Sequence, residues 1–313
     1  MAKYLVTGIA GFIGSTIARR ILAQGDQVRG VDNLATGNQQ NIAEILDRID
    51  FHQTDILDLD GLHSACEGVD YVFHEAAIPS VPKSVLDPLG NNRANVDGTA
   101  NVLVAARDAK VKRVVYAASS SAYGDTPTLP KRESMPPNPI SPYAVAKLAS
   151  EYYMISFYRC YGLETVCLRY FNIFGPRQDP TSPYSGVLAK FITQMLNGEE
   201  PTILGDGEQS RDFTYVDNAV DANLLACHAP AEQVAGRVFN VATGTRVNLK
   251  ETFLALKMLM DFKGEVKYGP ERTGDVKHSL ADISAARQAF NYQPQVSFEE
   301  GLRRTIAWYK NGR

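Results

Sequence analysis

Cysteine is scarce in this chain, and none of its four cysteines stands in a CxxC pair: Cys66, Cys160, Cys167 and Cys227. This pattern does not indicate a disulfide framework, and we expect reduced thiols that are mostly buried. The five histidines include no i,i+4 pair, and no carboxylate stands near them at metal-ligand spacing. We therefore expect no metal site.

The chain also lacks a large excess of charge of one sign, and it lacks long apolar runs. The 32 basic and 35 acidic residues leave a net charge of -3 and are scattered along the chain. This pattern excludes the basic footprint of a nucleic-acid or membrane-surface protein. The chain has no run of about 20 apolar residues, which a membrane span requires. No cleavage site follows MAKYLVTGIAGFIGS, so we expect a cytoplasmic protein without nucleic-acid or membrane partners.

The first half of the chain alternates between apolar runs and amphipathic stretches. Strand-like KYLVT, QVRGVD, DFHQTD, DYVFHEA, RVVYAAS and TVCLRYF are separated by stretches of helical spacing such as FIGSTIARRILAQ. This alternation predicts an α/β fold with a doubly wound parallel sheet. After about residue 172 the sequence becomes rich in turns. We expect a dinucleotide-binding domain over residues 1–172 and a smaller substrate lobe over 173–313, some segments of which return to the first domain.

A glycine-rich loop follows the first predicted strand and opens the first predicted helix. Gly8, Gly11 and Gly14 allow a tight turn and a close approach of backbone N–H groups to a pyrophosphate at the helix N-terminus. Asp32 ends the next strand at the spacing where a carboxylate binds ribose hydroxyls and repels a 2'-phosphate. The alternative is a turn-forming Asp in GVDNLATG. Together these features favour NAD over NADP, and Asp55-Ile56 is expected near the adenine.

The stretch SPYAVAK predicts the start of a long helix. Ser141 is suited to the N-cap and Pro142 to the first turn. Tyr143 and Lys147 then lie four residues apart on one face, where the ammonium is expected to lower the pKa of the phenol. In a chain with 15 tyrosines such a pair is barely informative alone. The pair is more informative in a chain that also has a dinucleotide-binding loop.

Three consecutive serines, Ser119, Ser120 and Ser121, stand where the fifth predicted strand ends. A serine nucleophile requires a histidine base and an oxyanion hole. The nearest histidine in sequence, His74, ends another strand and has no residue nearby in sequence to orient it. The run therefore does not indicate a nucleophile.

Over nearly its whole length the chain resembles the extended short-chain dehydrogenase/reductase family. The resemblance rests on the glycine loop, Asp32, Ala76-Ala77, Ser119 and the Tyr143–Lys147 pair. It implies a Rossmann-type NAD domain in which Tyr143 is the acid/base, Lys147 binds the nicotinamide ribose and Ser119 hydrogen-bonds the reacting oxygen. It also implies a homodimer formed through the helices that begin near Asn95 and Tyr143. The implied NAD contacts are Gly8, Gly11, Phe12, Ile13, Gly14, Asp32, Asn33, Asp55, Ile56, Ala76, Ala77, Tyr143, Lys147 and Tyr170.

Within that family, segments of the second half are similar to UDP-hexose 4-epimerases: LRYFNIFGP, SRDFTYVDN and ERTGDVKHSLAD. Guanidinium groups suit the two negative charges of a sugar diphosphate. The alternative for any one arginine is a surface salt bridge. The resemblance implies substrate contacts at Ser80, Ser119, Ser121, Tyr143, Asn172, Gln178, Arg211, Arg272, Asp275 and Ser279.

Acids are absent from the two positions after Ser119. Relatives that dehydrate or decarboxylate a nucleotide sugar usually carry carboxylates there for proton transfer. We therefore expect epimerisation: Tyr143 takes the proton of the sugar 4-hydroxyl, NAD accepts hydride from C4, and the 4-keto sugar turns over and takes the hydride back. A net oxidoreductase that releases NADH and a non-catalytic NAD-binding scaffold are the rivals.

The preferred sugar is left open by the sequence. By resemblance, a small residue such as Ser279 admits N-acetylated sugars, so we expect UDP-N-acetylglucosamine to be accepted as well as UDP-glucose. IPSVPKS and Gln178 resemble epimerases of N-acetylated or uronic acid sugars, although Pro79 replaces a small flexible residue. Lys83 is suited to a C6 carboxylate or, as the simpler interpretation, to solvent.

Overall fold

The computed structural model describes residues 1–179, 186–271 and 276–311. Its main element is a seven-stranded sheet in the order β11-β6-β5-β4-β1-β2-β3, with every neighbouring pair parallel. The strands are β1 (Lys3–Thr7), β2 (Gln27–Val31), β3 (Asp50–His52), β4 (Tyr71–His74), β5 (Arg113–Ser119), β6 (Glu164–Tyr170), β7 (Ile173–Phe174), β8 (Thr202–Leu204), β9 (Ser210–Arg211), β10 (Thr214–Tyr215), β11 (Arg237–Val241), β12 (Val247–Asn248) and β13 (Lys267–Gly269).

Helices cover both faces of the sheet, as a parallel sheet with two buried faces requires. They are α1 (Phe12–Ala23), α2 (Leu59–Cys66), α3 (Val81–Leu86), α4 (Pro88–Asn92), α5 (Gly98–Asp108), α6 (Pro142–Tyr161), α7 (Val187–Leu196), α8 (Val216–His228), α9 (Ala231–Val234), α10 (Leu249–Met260), α11 (Ser284–Phe290) and α12 (Phe298–Lys310). A π-helix over Arg93–Asp97 joins α4 to α5, and a 3₁₀ turn over Ser120–Tyr123 follows β5. The predicted doubly wound α/β fold is confirmed.

Two hydrophobic clusters hold the layers together. One joins β5 to α2, α5 and α6, and the other joins the opposite face to α1, α8 and the second half of the chain. Alternation along β5 explains the division, because Tyr116 and Ala118 face the first cluster and Val115 and Ala117 the second. Both faces of the sheet are thus buried.

All six predicted strands lie in the main sheet, and β11 from the second half of the chain pairs with β6 as the seventh strand. Short two-stranded pairs, β7 with β10, β8 with β13 and β9 with β12, lie outside it. Because parallel strands end at one edge, the residues that follow β1, β4, β5 and β6 meet there. In the described part of the chain, no helix is long and apolar enough to cross a membrane.

Candidate functional site

The glycine loop lies where β1 meets α1, and its backbone is shaped for close approach. Gly8 has φ +69°, and a Cβ there would lie 2.7 Å from the Ala76 nitrogen. A Cβ at Gly14 would lie 2.3 Å from the Gly8 carbonyl oxygen. The cap residue of α1 is Gly11, which has no side chain to accept from the first N–H groups. These N–H groups, including those of Phe12 and Ile13, form a cradle suited to a pyrophosphate.

Asp32 lies beside this cradle and is held by two backbone donors. Its Oδ2 accepts from Ala10 N at 2.9 Å and its Oδ1 from Leu34 N at 2.8 Å. Burial raises the pKa of this carboxyl, and the two N–H groups act in the opposite direction. Each oxygen keeps a further lone pair, so the carboxylate can still accept from a ribose hydroxyl.

Asn33 and Asp55 meet directly, because Asn33 Nδ2 donates to Asp55 Oδ2 at 2.7 Å. Ile56 is buried against Gly98, where a Cβ would lie 2.5 Å from its Cδ1. The structure therefore brings Asn33, a predicted NAD contact, next to Asp55, which is predicted near the adenine.

The Ser119 hydroxyl is the centre of the candidate catalytic group. Its Oγ accepts from Ser121 Oγ at 2.8 Å and from Ser121 N at 3.2 Å, and the Ser119 side chain acts to lower the pKa of the Tyr143 phenol. The predicted N-cap is confirmed, since Ser141 Oγ accepts from Ala144 N at 3.2 Å. Sequence reasoning missed Ser84, whose buried Oγ accepts from Tyr143 N at 3.0 Å. This contact ties α3 to the start of α6.

Lys147 is buried one turn further along α6. Its Nζ donates to the Ala117 carbonyl at 2.7 Å and lies 4.8 Å from the centre of the Tyr116 ring. Burial lowers the pKa of Lys147 to about 8, and nearby carboxylates oppose this. Burial raises the pKa of Tyr143, and the hydrogen bond with Ser119 acts in the opposite direction. The prediction that Lys147 lowers this pKa is wrong here, because desolvation of the phenol is the larger effect.

Tyr170 connects two strands across the sheet. Its Oη donates to Glu75 Oε1 at 2.8 Å and accepts from Asn223 Nδ2 at 2.6 Å. Burial raises the pKa of Glu75 to about 7. Sequence reasoning missed Glu75, although it directly precedes the predicted pair Ala76-Ala77.

Asn172 and Ser279 meet although 107 positions separate them. Asn172 Nδ2 donates to Ser279 Oγ at 3.0 Å, and Asp212 N donates to the same oxygen at 3.2 Å. The Asp212 carboxylate is fully buried, where it accepts from the backbone of Thr243, Gly244 and Ala281. Asp212, another residue that the sequence did not reveal, fixes this part of the site.

The remaining predicted substrate residues lie at different places. Ser80 caps α3 by accepting from Lys83 N at 3.2 Å, and Gln178 donates to the Ile173 carbonyl at 3.3 Å. Arg211 Nη1 donates to the carbonyls of Ser210 and Lys277. Arg272 and Asp275 lie outside the described residues.

Three cations lie near His278. Its pKa is lowered by burial and then by the charges of Arg246, Lys277 and Arg211, while Asp206, which pairs with Lys277, acts in the opposite direction. Several cations therefore act on one place, which favours an anionic ligand.

Known epimerases and their solved structures are similar to this chain over 99% of its length. The UDP-glucose 4-epimerase of Mycolicibacterium smegmatis is 40% identical over 314 residues, with 99% of each chain covered. The structure of Thermotoga maritima UDP-glucose 4-epimerase with UDP-glucose has a TM-score of 0.94 at 38% identity, with 99% of each chain covered. That of the UDP-N-acetylglucosamine 4-epimerase of Methanobrevibacter ruminantium, in complex with UDP-N-acetylmuramic acid, has 0.93 at 42%, with 99% of this chain and 98% of the other covered.

The family model described as the NAD dependent epimerase/dehydratase family matches residues 4–242. The predicted cofactor NAD and the resemblance to UDP-hexose 4-epimerases are thereby confirmed at the level of the family. The loop after β1, the serine at the end of β5 and the Tyr–Lys pair on α6 lie within the matched residues. The chain belongs to the NAD-dependent epimerase/dehydratase family, among the UDP-sugar 4-epimerases.

Proposed function

We propose that this chain interconverts UDP-hexoses that differ in configuration at C4, accepting both UDP-glucose and UDP-N-acetylglucosamine. The observation that carries the proposal is the placement of Ser119, whose side chain acts on the Tyr143 phenol, with hydroxyl rather than carboxyl groups at the next two positions, Ser120 and Ser121. A phenol and a serine can exchange one proton with a sugar hydroxyl. Elimination of water or of carbon dioxide would require the acids that these positions lack.

The residues around the glycine loop fit NAD. The close approach at Gly8, the open N–H groups of α1 and the anchored carboxylate of Asp32 would hold the pyrophosphate and the adenosine ribose. Lys147 would hold the nicotinamide ribose. When bound, NAD supplies an acceptor for the hydrogen and electron pair that leave C4, and its positive charge favours an ionised phenol.

The chain's own residues then perform two tasks. Tyr143 takes the proton of the sugar 4-hydroxyl through Ser119 and gives it back on the other face of the sugar. Arg211 and Arg272, from the proposed substrate lobe over residues 173–313, hold the diphosphate while the sugar turns, because guanidinium groups pair well with phosphate oxygens. The cations around His278 support this role for Arg211.

An epimerisation assay with product separation tests the proposal. Incubated with UDP-glucose, UDP-N-acetylglucosamine and the corresponding uronic acids, the protein should convert the first two into their C4 epimers. NADH absorbance should stay constant, because the cofactor ends each cycle oxidised. Steadily accumulating NADH would favour the oxidoreductase alternative, and conversion of the uronic acids alone would favour a UDP-uronic acid 4-epimerase.

The size of residue 279 should decide whether an N-acetyl sugar is accepted. We expect Ser279→Tyr to lower kcat/KM for UDP-N-acetylglucosamine by about 10²-fold or more, with a much smaller loss for UDP-glucose. Ser279→Ala is the matched control, since it removes the oxygen that accepts from Asn172 and Asp212 without adding bulk. Equal losses for both sugars in the tyrosine variant would contradict this specificity role.

We also propose a homodimer formed through α6 and the helical segment around Asn95 that runs from α4 into α5, together with α3, which packs against α4 and α6. Leu86 and Leu89 are 78% and 74% exposed, and Tyr152 on α6 is 57% exposed. Apolar side chains grouped on neighbouring helices are typical of a surface that a second copy covers. Light scattering should give a mass of about two chains, and a monomer at every concentration would refute the dimer.

A further inference from the structure

Glu75 lies between the proposed cofactor cradle and the proposed catalytic pair. A Cβ at Gly8 would lie 3.0 Å from its carbonyl carbon, so its backbone borders the glycine loop. Its Oε1 accepts from Tyr170 Oη at 2.8 Å, and Asn223 Nδ2 donates to that Oη at 2.6 Å. Because Asn223 occupies an acceptor position of the phenol oxygen, the phenol proton points to Glu75. The register of β4 and β5 pairs His74 with Tyr116, so Glu75 lies beside Ala117, whose carbonyl accepts from Lys147 Nζ at 2.7 Å.

The carboxylates of Glu75 and Glu151 both act on the Lys147 ammonium. They differ in their own partners. Arg169 donates to Glu151 through Nε at 2.9 Å and through Nη2 at 2.7 Å, so this carboxylate is paired with a full positive charge. Glu75 is paired with a neutral phenol. Of the two carboxylates that act on Lys147, Glu75 is therefore the one whose negative charge is less compensated.

The other titratable groups around the ammonium are neutral near pH 7. Thr7 and Thr99 hydrogen-bond the two ring nitrogens of His74, and burial lowers the pKa of this imidazole to about 3. Burial raises the pKa values of the Tyr116 and Tyr143 phenols. The two carboxylates are thus the groups that supply charge to the ammonium.

We propose that Glu75 is a positioning residue for the pair Tyr143 and Lys147: its carboxylate fixes the ring of Tyr170 and holds Lys147 in its ammonium form. The proposal rests on the proposed function for the catalytic role of that pair. Burial raises the pKa of Glu75 to about 7 and lowers that of Lys147 to about 8. Falling pH neutralises the carboxylate and rising pH neutralises the ammonium, so both charges are present together only between these limits.

A Glu75→Gln variant tests the proposal, because glutamine keeps the shape and an oxygen acceptor without the charge. In the protein without added cofactor, lysine labelled with ¹³C at Cε reports the titration of Lys147 by NMR, and Lys147→Arg identifies its signal. We expect the Lys147 titration to move down by about one pH unit. The alkaline limb of the profile of kcat against pH should move with it, and the limb near pH 7 should disappear.

Glu133→Gln is the matched control. Glu133 is also half-buried, with its Oε1 2.7 Å from Asn240 N and a pKa raised by burial, but it is not among the carboxylates that act on Lys147. This variant should leave the Lys147 titration unchanged. Tyr170→Phe removes the hydrogen bond that lowers the pKa of Glu75, so it should move the acidic limb of the profile to higher pH.

Two outcomes separate this proposal from the proposed function. An unchanged Lys147 titration in Glu75→Gln overturns the role of Glu75, whatever the activity. A titration that moves without the alkaline limb supports the charge coupling and contradicts the catalytic role of Lys147.

Discussion

A Tyr143→Phe variant loses about 10²–10⁴-fold in the rate of UDP-glucose epimerisation. The variant keeps the aromatic ring but has no phenol proton to exchange with the sugar through Ser119. Lost contact with Ser119 should lower the free energy of unfolding by only about 1 kcal/mol, as for one ordinary hydrogen bond. Product separation measures the rate, and urea denaturation measures the stability.

Tyr158→Phe is the control for this substitution. Tyr158 lies on the same helix, α6, but its side chain is 38% exposed. The control should keep the parent rate, so a loss confined to position 143 is chemical rather than structural. A Tyr143→Phe variant as active as the parent would remove Tyr143 from the proposed proton transfer.

A Gly8→Ala variant is expected to lose about 3 kcal/mol of stability and at least about tenfold in affinity for NAD. An alanine Cβ would lie 2.7 Å from the Ala76 nitrogen and 2.8 Å from its Cα, both backbone atoms that a side-chain rotation cannot clear. Gly8 also has φ +69°, which costs an L-residue about 1–2 kcal/mol. Urea denaturation and calorimetric titration with NAD measure the two effects.

Gly25→Ala separates the clash from the backbone cost. Gly25 has φ +86°, and a Cβ there has no atom of the described residues within 4 Å. This variant should lose about 1 kcal/mol of stability and bind NAD as the parent does. Equal losses in the two variants would show that close approach at Gly8 contributes nothing.

Local patterns predicted much of the fold and of the proposed cofactor cradle. Sequence alone reveals features that depend on a few consecutive residues. These are the alternation of strands and helices, the glycine loop and the N-cap at Ser141. The sequence did not predict that β11 pairs with β6. This pairing depends on packing over the whole chain, and no local pattern in residues 237–241 indicates it.

The site was harder to predict where its contacts are distant in sequence. Ser84 and Tyr143 are 59 positions apart, and Glu75 and Tyr170 are 95 apart. Spacing along the chain says nothing about such pairs. The pKa of Tyr143 was mispredicted for a related reason, because helical spacing places the ammonium nearby but does not report how deeply the phenol is buried.

The contact of Ser84 with the Tyr143 backbone has a consequence for redesign of the enzyme. Ser80, a substrate contact by resemblance, and Ser84 lie at the two ends of one turn, and Ser84 accepts from the Tyr143 backbone in the first turn of α6. Substitutions that reshape this segment for a new sugar are therefore expected to displace Tyr143, the proposed acid/base, as well. A substitution in this segment that changes the substrate range is therefore expected to change the turnover rate as well. Redesign of this segment then requires a second substitution that restores the position of Tyr143.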